Sequence, residues 1–157
     1  RAACFTARAC GEVWADMAES ICLHYTVPGD DFTRAGEASA DLKQRLKKLG
    51  LPPDAVRKVS IALYEGEINL AIHAHGGNID VEVGDDAVRM TLSDSGPGIA
   101  DIALAMSEGY STAPDEVRSL GFGAGMGLPN MKKYSDEFDI QSAVGVGTTV
   151  RMAVRID

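Results

Sequence analysis

The chain has 157 residues, 45% of them hydrophobic and 24% charged, with a formal net charge of -8. This is one domain's worth of ordinary globular composition, long enough to bury a core without staples, and no apolar run reaches the length of a membrane span. The acidic balance disfavours nucleic acid, whose binders carry a basic face against the phosphates, so a small-molecule or protein partner is expected, with no membrane contact.

Residues 1–16 are rich in Ala and Cys and show neither a strand nor a helix stripe, nor the continuous apolar core of a secretory signal. Met17 is read as the natural start and residues 1–16 as an upstream or non-native extension, leaving a single domain over 17–157. The three cysteines, Cys4, Cys10 and Cys22, are odd in number and too widely spaced for the usual metal knuckle. They are read as reduced thiols, which places the chain in the cytoplasm.

Ile21, Leu23, Tyr25 and Val27 alternate with polar residues, the period of a half-buried strand closed by Pro28-Gly29-Asp30. From Ala35 to Leu49 the apolar positions recur at helical spacing, and Gly50 ends the run. Pro52-Pro53-Asp54 then starts a second helix that runs to His75 and is stopped by Gly76-Gly77. Ile79–Val83 and Val88–Leu92 form a hairpin about Gly84-Asp85-Asp86, and its second strand delivers Asp94. The connection from Gly98 to Gly121 holds one short helix near Ile99–Met106, and its length predicts a lid or binding loop. A helix over Pro129–Tyr134, a strand through Phe138 and Ile140, a Gly145-Val146-Gly147 turn and a last strand from Val150 to Ile156 complete the chain. The fold class is therefore α/β in the α+β sense: a two-layer sandwich whose mixed, mostly antiparallel sheet carries its helices on one face.

Three segments carry chemistry. On the second helix Glu65, Asn69 and His73 share one face at i, i+4 and i+8. The carboxylate can take a proton, and the carboxamide oxygen is a hard neutral ligand suited to Mg²⁺ that already carries phosphate and water. A solvated helix face is the plain alternative, and His73 is read as a packing residue. Asp94-Ser95-Gly96-Pro97-Gly98 offers a carboxylate able to accept from an exocyclic amine, with Gly96 and Gly98 allowing close approach of backbone to a base. Gly121-Phe122-Gly123-Ala124-Gly125-Met126-Gly127-Leu128 leaves unshielded N–H groups at a helix start, where an anion is favoured. The run lacks Gly-Lys-Ser/Thr and does not follow a first strand, so it is neither a Walker loop nor a dinucleotide fingerprint.

In this order the three segments resemble the N, G1 and G2 boxes of the GHKL ATPase superfamily with its Bergerat ATP-binding fold, over about Ile21 to Ile156. A free-standing domain of this size is similar to the bacterial anti-sigma-factor and switch serine/threonine kinases. The resemblance implies ATP or ADP with Mg²⁺, and a small antagonist domain of the anti-anti-sigma type as substrate in a partner-switching pathway. A sigma factor or other regulator would stand beyond it, and a homodimer is left open. It implies Glu65 as the base, Asn69 as the Mg²⁺ ligand and Asp94 as the adenine reader. Gly96 and Gly98 would shape the base pocket; Gly123, Gly125, Gly127 and Leu128 would line the nucleotide, and Thr148 would lie near the adenine. The terminal phosphate has three candidate cations, Arg118, Lys132 and Lys133. Gly66 and Glu67, standing between the N-box residues, depart from many relatives: Glu67 is expected either to perturb Glu65 or to face solvent. An ATP- or ADP-sensing module without transferase activity is the other reading.

Overall fold

A computed structural model describes residues 20–29, 31–107 and 127–156, together with the backbone of residues 8–9. Strands β1 (Arg8–Ala9), β2 (Ile21–Pro28), β3 (Gly76–Val83), β4 (Ala87–Ser93), β5 (Glu137–Ala143) and β6 (Gly147–Arg155) form one sheet in the order β1-β2-β3-β4-β6-β5. Helices α1 (Glu37–Lys48) and α2 (Pro53–His73) are long; α3 (Ile102–Ala105) and α4 (Gly127–Lys133) are short. β6 inserts between β4 and β5, and every described pairing is antiparallel, so the sheet has no parallel ladder of the kind that a mixed sheet would contain.

Alternation along the strands sends one set of side chains into the helices. Leu23, Tyr25 and Val27 meet Ile79, Val81 and Val83, then Val88, Met90 and Leu92, then Val150, Met152 and Val154. Leu42 and Leu46 of α1 and Val56, Val59 and Leu63 of α2 cover them. The opposite sheet face shows Asn78, Asp80, Glu82, Arg89 and Arg151 to solvent. Two layers follow from a sheet that is apolar on one side only.

The sequence boundaries hold to within a few residues, with one difference in kind. Gly76 and Gly77 open β3, and α2 stops at His73, because His75 turns the chain with a φ of 58°. A second difference lies at Cys22, which is disulfide-bonded and so is not the reduced thiol expected. β1 pairs Arg8 with Cys22 and Ala9 with Ile21.

Two polar ties fasten α1. The Tyr25 hydroxyl donates to Asp41 Oδ2 at 2.8 Å, and Arg45 Nε donates to the same oxygen at 2.7 Å. Burial, with the Asp41 carboxylate beside it, pushes the Tyr25 phenol well above its usual range. The second tie comes from Glu67. Gly36, at φ 106°, offers α1 no side-chain cap. Instead Glu67 of α2 accepts from the backbone N–H groups of Ala38 at 2.9 Å and Ser39 at 3.2 Å, satisfying donors that a helix start leaves orphaned. The carboxylate is only 2% exposed, so it does not face solvent.

Burial raises the Glu67 pKa, and the hydrogen bonds from Ala38 and Ser39 offset that only in part. A carboxyl whose folded pKa is raised favours folding while protonated, and this contribution is lost as pH rises through the folded value. Glu67→Gln, which is neutral but keeps an acceptor, is therefore expected to remove this slope. In urea titrations the wild type should lose stability relative to the variant as pH climbs from below about 4.5. The variant should carry a pH-independent deficit of about 1 kcal/mol for the weakened cap. Parallel pH profiles of the two proteins would overturn the assignment.

Candidate functional site

α2 supplies one wall of an open cavity of about 550 Å³, solvent at its mouth included, and β4 with the turn after it, β5, β6 and α4 supply the rest. Its lining is largely apolar: Leu70, Leu92, Leu128, Met131, Ile140 and Val150 surround the polar groups of Asn69, His73, Asp94 and Thr148. A mostly apolar cavity with a few converging polar groups is the ordinary form of a small-molecule site.

The polar groups are held from behind. Asp94 Oδ1 accepts from the N–H of Gly96 at 2.9 Å and of Thr148 at 3.3 Å, and the Asp94 N–H donates to the Thr148 carbonyl at 3.0 Å. Oδ2 has no partner among the described hydrogen bonds, so one carboxylate oxygen is structural and the other is available to a ligand. The Thr148 and Ser142 hydroxyls lie 2.7 Å apart, and Ser142 Oγ also takes the Ile99 N–H at 2.7 Å. Ser142 and Thr148 are register partners across β5 and β6, which is how the β5–β6 hairpin reaches the Asp94 turn.

Glycine is required where these segments meet. Gly98 has a φ of 77° and a Cβ there would stand 2.3 Å from the Ala143 carbonyl oxygen; at Gly147, φ 144°, a Cβ would stand 2.0 Å from the Asp94 carbonyl oxygen. The close approach that Gly98 permits is thus to the chain's own backbone. On the helix wall Gly66 has a different task, since a Cβ would fall 2.3 Å from Leu92 Cδ2. Its absence lets α2 lie against β4 beside the cavity.

Of the expected site residues, Asn69, Asp94, Gly98, Leu128 and Thr148 line this one cavity. Gly127 is outside the lining but lies so close to Asn69 that a Cβ there would be 3.0 Å from Asn69 Oδ1. Glu65 stands one turn back on α2, outside the lining, where its Oε1 accepts from Asn130 Nδ2 at 3.4 Å. Gly96 faces a separate shallow polar cleft with His75, Asn78 and Ser93. Gly123, Gly125 and Arg118 lie outside the described residues, as does the expected lid beyond residue 107. Lys133 is placed away from the cavity: its ammonium sits 5.5 Å from the centre of the Tyr134 ring, at the opposite end of α4 from Gly127.

Several contributors were not expected. His73, read as a packing residue, lines the cavity, and burial lowers its pKa, which keeps the imidazole neutral at pH 7. Its i+4 spacing from Asn69 was the available signal. Ser142 gave none, because its role depends on strand register. Asn130 and Met131 act through the packing of α4 on α2, Met131 Sδ lying 3.8 Å from Asn69 Nδ2.

Gly147→Ala tests how strictly the Asp94 turn is built. Its methyl must displace backbone, so a loss of about 1–3 kcal/mol is expected in chemical denaturation. In the amide spectrum the largest shifts should fall on Asp94, Gly96 and Thr148. A variant as stable as wild type, with those resonances unmoved, would contradict the packing described.

Comparison with known proteins agrees with this architecture. A model of the histidine kinase-like ATPase domain matches residues 30–154. The serine/threonine-protein kinase RsbT of Bacillus subtilis (strain 168) is 32% identical over 109 residues, covering 67% of this chain and 76% of that protein. The anti-sigma F factor of Geobacillus sp. (strain WCH70) is 33% identical over 103 residues, 62% of this chain and 67% of its own length. That of Pasteuria penetrans is 30% identical over 105 residues, with 62% and 67% covered. The family model spans most of the chain, and the chain belongs to the histidine kinase-like ATPase domain family.

Proposed function

We propose that this protein is an ATP-dependent serine/threonine kinase of the anti-sigma and switch-kinase type, acting on a small antagonist domain in a partner-switching pathway. The observation that carries the reading is the divided carboxylate of Asp94. One oxygen is fixed by two backbone donors and the other is available, inside an apolar cavity shared with Asn69 and Thr148. An adenine fits such a cavity, its exocyclic amine donating to Oδ2 while its ring lies among the aliphatic side chains. Similarity to a serine/threonine-protein kinase and to anti-sigma F factors supports the choice of activity and of partner.

Asn69, on α2 beside the start of α4, would hold Mg²⁺ through its carboxamide oxygen. Gly123, Gly125 and Gly127 would present backbone N–H groups to the phosphates. Mg²⁺ held at Asn69 would supply positive charge against that which builds on the phosphoryl oxygens. Glu65, outside the base cavity and one turn from Asn69, takes the proton of the partner's serine or threonine as that oxygen attacks the γ-phosphorus. The bond from γ-phosphorus to the bridging oxygen breaks and ADP leaves. The need for ATP is now the argument for a cytoplasmic place, since the bonded Cys22 removes the one based on free thiols.

Two measurements test the reading. Asp94→Asn replaces a charged acceptor at the base, so Mg-ATP and Mg-ADP should each bind about 10- to 100-fold more weakly by calorimetry; unchanged affinity removes the adenine assignment. Glu65→Gln should keep ATP affinity and lose phosphotransfer by about 10²- to 10⁴-fold, whereas Asn69→Ala should also lose the Mg-dependent part of ATP affinity. Wild-type protein that transfers no phosphate to its partner, while nucleotide still alters partner affinity, would make it a sensing module.

A further inference from the structure

The surface beside Glu65 is cationic on a chain that is otherwise acidic. Arg57, Ile61 and Glu65 lie on one face of α2 at i, i+4 and i+8. Facing them, Asn130 of α4 reaches Glu65, and one turn further on Tyr134 continues the helix by donating its N–H to the Asn130 carbonyl at 3.0 Å. The Tyr134 ring is flanked by two cations, the Arg57 guanidinium 5.7 Å from its centre and the Lys133 ammonium at 5.5 Å. Arg57, Lys132 and Lys133 are all exposed, and none of them takes part in the ion pairs of the described residues. Of the neighbouring carboxylates, Asp54 pairs with Lys58 at 3.1 Å, and Asp136, which keeps its charge, accepts the Arg155 backbone N–H at 2.7 Å.

Tyr134 lies four positions after Asn130, about 6 Å of rise, and Arg57 eight positions before Glu65, about 12 Å, so the cations stand one to two helical turns from the carboxylate assigned as base. In a chain of net charge -8, a local excess of unpaired positive charge repels most of the chain's own surface and attracts an acidic one. We infer that the α2–α4 face around Arg57, Lys133 and Tyr134 is the docking surface for the phosphoacceptor protein. The partner presents an acidic face there, set so that its serine or threonine hydroxyl falls at Glu65. This rests on the kinase reading and specifies its partner. The aromatic ring orients the two cations and supplies apolar area, and Ile61 stands between Arg57 and Glu65 on the same face of α2. Charge steering of this kind acts on the encounter with the protein substrate and leaves the nucleotide untouched.

The experiment measures phosphate transfer from γ-labelled Mg-ATP, using the full chain and a panel of purified antagonist domains. Half of the panel carries acidic residues around the acceptor serine and half carries none. Transfer is expected only to the acidic group. Arg57→Glu with Lys133→Glu should raise KM for the domain at least about tenfold, with kcat and calorimetric ATP affinity unchanged, and should abolish the rise of the wild-type KM with added salt. Either single reversal, should the double variant misfold, is expected to give part of the same shift. Transfer with equal KM and equal salt dependence in wild type and variant would overturn the docking surface and leave the kinase standing. Equal use of acidic and non-acidic domains would do the same. Absence of transfer to every domain would overturn the kinase reading and the docking surface with it.

Discussion

The single contact on which the site depends is the double acceptance by Asp94 Oδ1. It collects the N–H of Gly96 from its own turn and the N–H of Thr148 from β6, while the Asp94 backbone pairs with Thr148 in the other direction. The same residue therefore finishes the β4–β6 ladder and lines the cavity with an Oδ2 that has no partner among the described residues. A carboxylate with one oxygen locked has little freedom to rotate, so the second oxygen is aimed before any ligand arrives. Preorganisation of this kind removes a cost that a ligand would otherwise meet on binding.

α2 carries three tasks on three faces, and its composition makes sense only when they are separated. Val56, Val59, Leu63 and Leu70 pack on the sheet, while Asn69 and His73 look into the cavity. Glu67, 200° round from Glu65 at 100° per residue, points to the start of α1. Gly66 lies between, facing Leu92, and is small because the helix runs close to β4 there. A helix with so many obligations is poorly amphipathic, and a single apolar stripe describes it badly. The Glu-Gly-Glu-Ile-Asn segment is therefore one in which a neutral-looking insertion of Gly and Glu is fixed by packing on both sides.

Local pattern made most of the fold legible. Alternation located β2 to β6, and turn chemistry located the hairpins, because each signal involves residues within a few positions of one another. The candidate site was legible for a similar reason: Asn69 and Asp94 each belong to a compact motif whose residue types state their chemistry, whereas Thr148 was expected only from the resemblance of its Gly-x-Gly-Thr segment. What sequence did not convey is tertiary. Glu67 meets Ala38 and Ser39 across 28 to 29 positions, and nothing in the spacing of an acidic residue identifies a helix start elsewhere as its partner. Ser142 becomes a site residue through strand register, and the disulfide at Cys22 is a tertiary bond that the cysteine spacing did not signal. At Gly98 the sequence suggested room for a ligand, and the structure fills that room with the Ala143 carbonyl.

The short helix α4 joins these pieces into one functional unit. Its first residue abuts Asn69, its fourth touches Glu65, and the residue just past its end holds Arg57 and Lys133 about an aromatic ring. Met131, fully buried between them, fixes the rotation of the helix on α2. Rotating α4 would disturb all three contacts together, because seven residues make too few turns for one end to move independently of the other. On the proposed reading, a nucleotide at Asn69 and a partner at Tyr134 would meet the same rigid element from opposite ends, with Glu65 between the two.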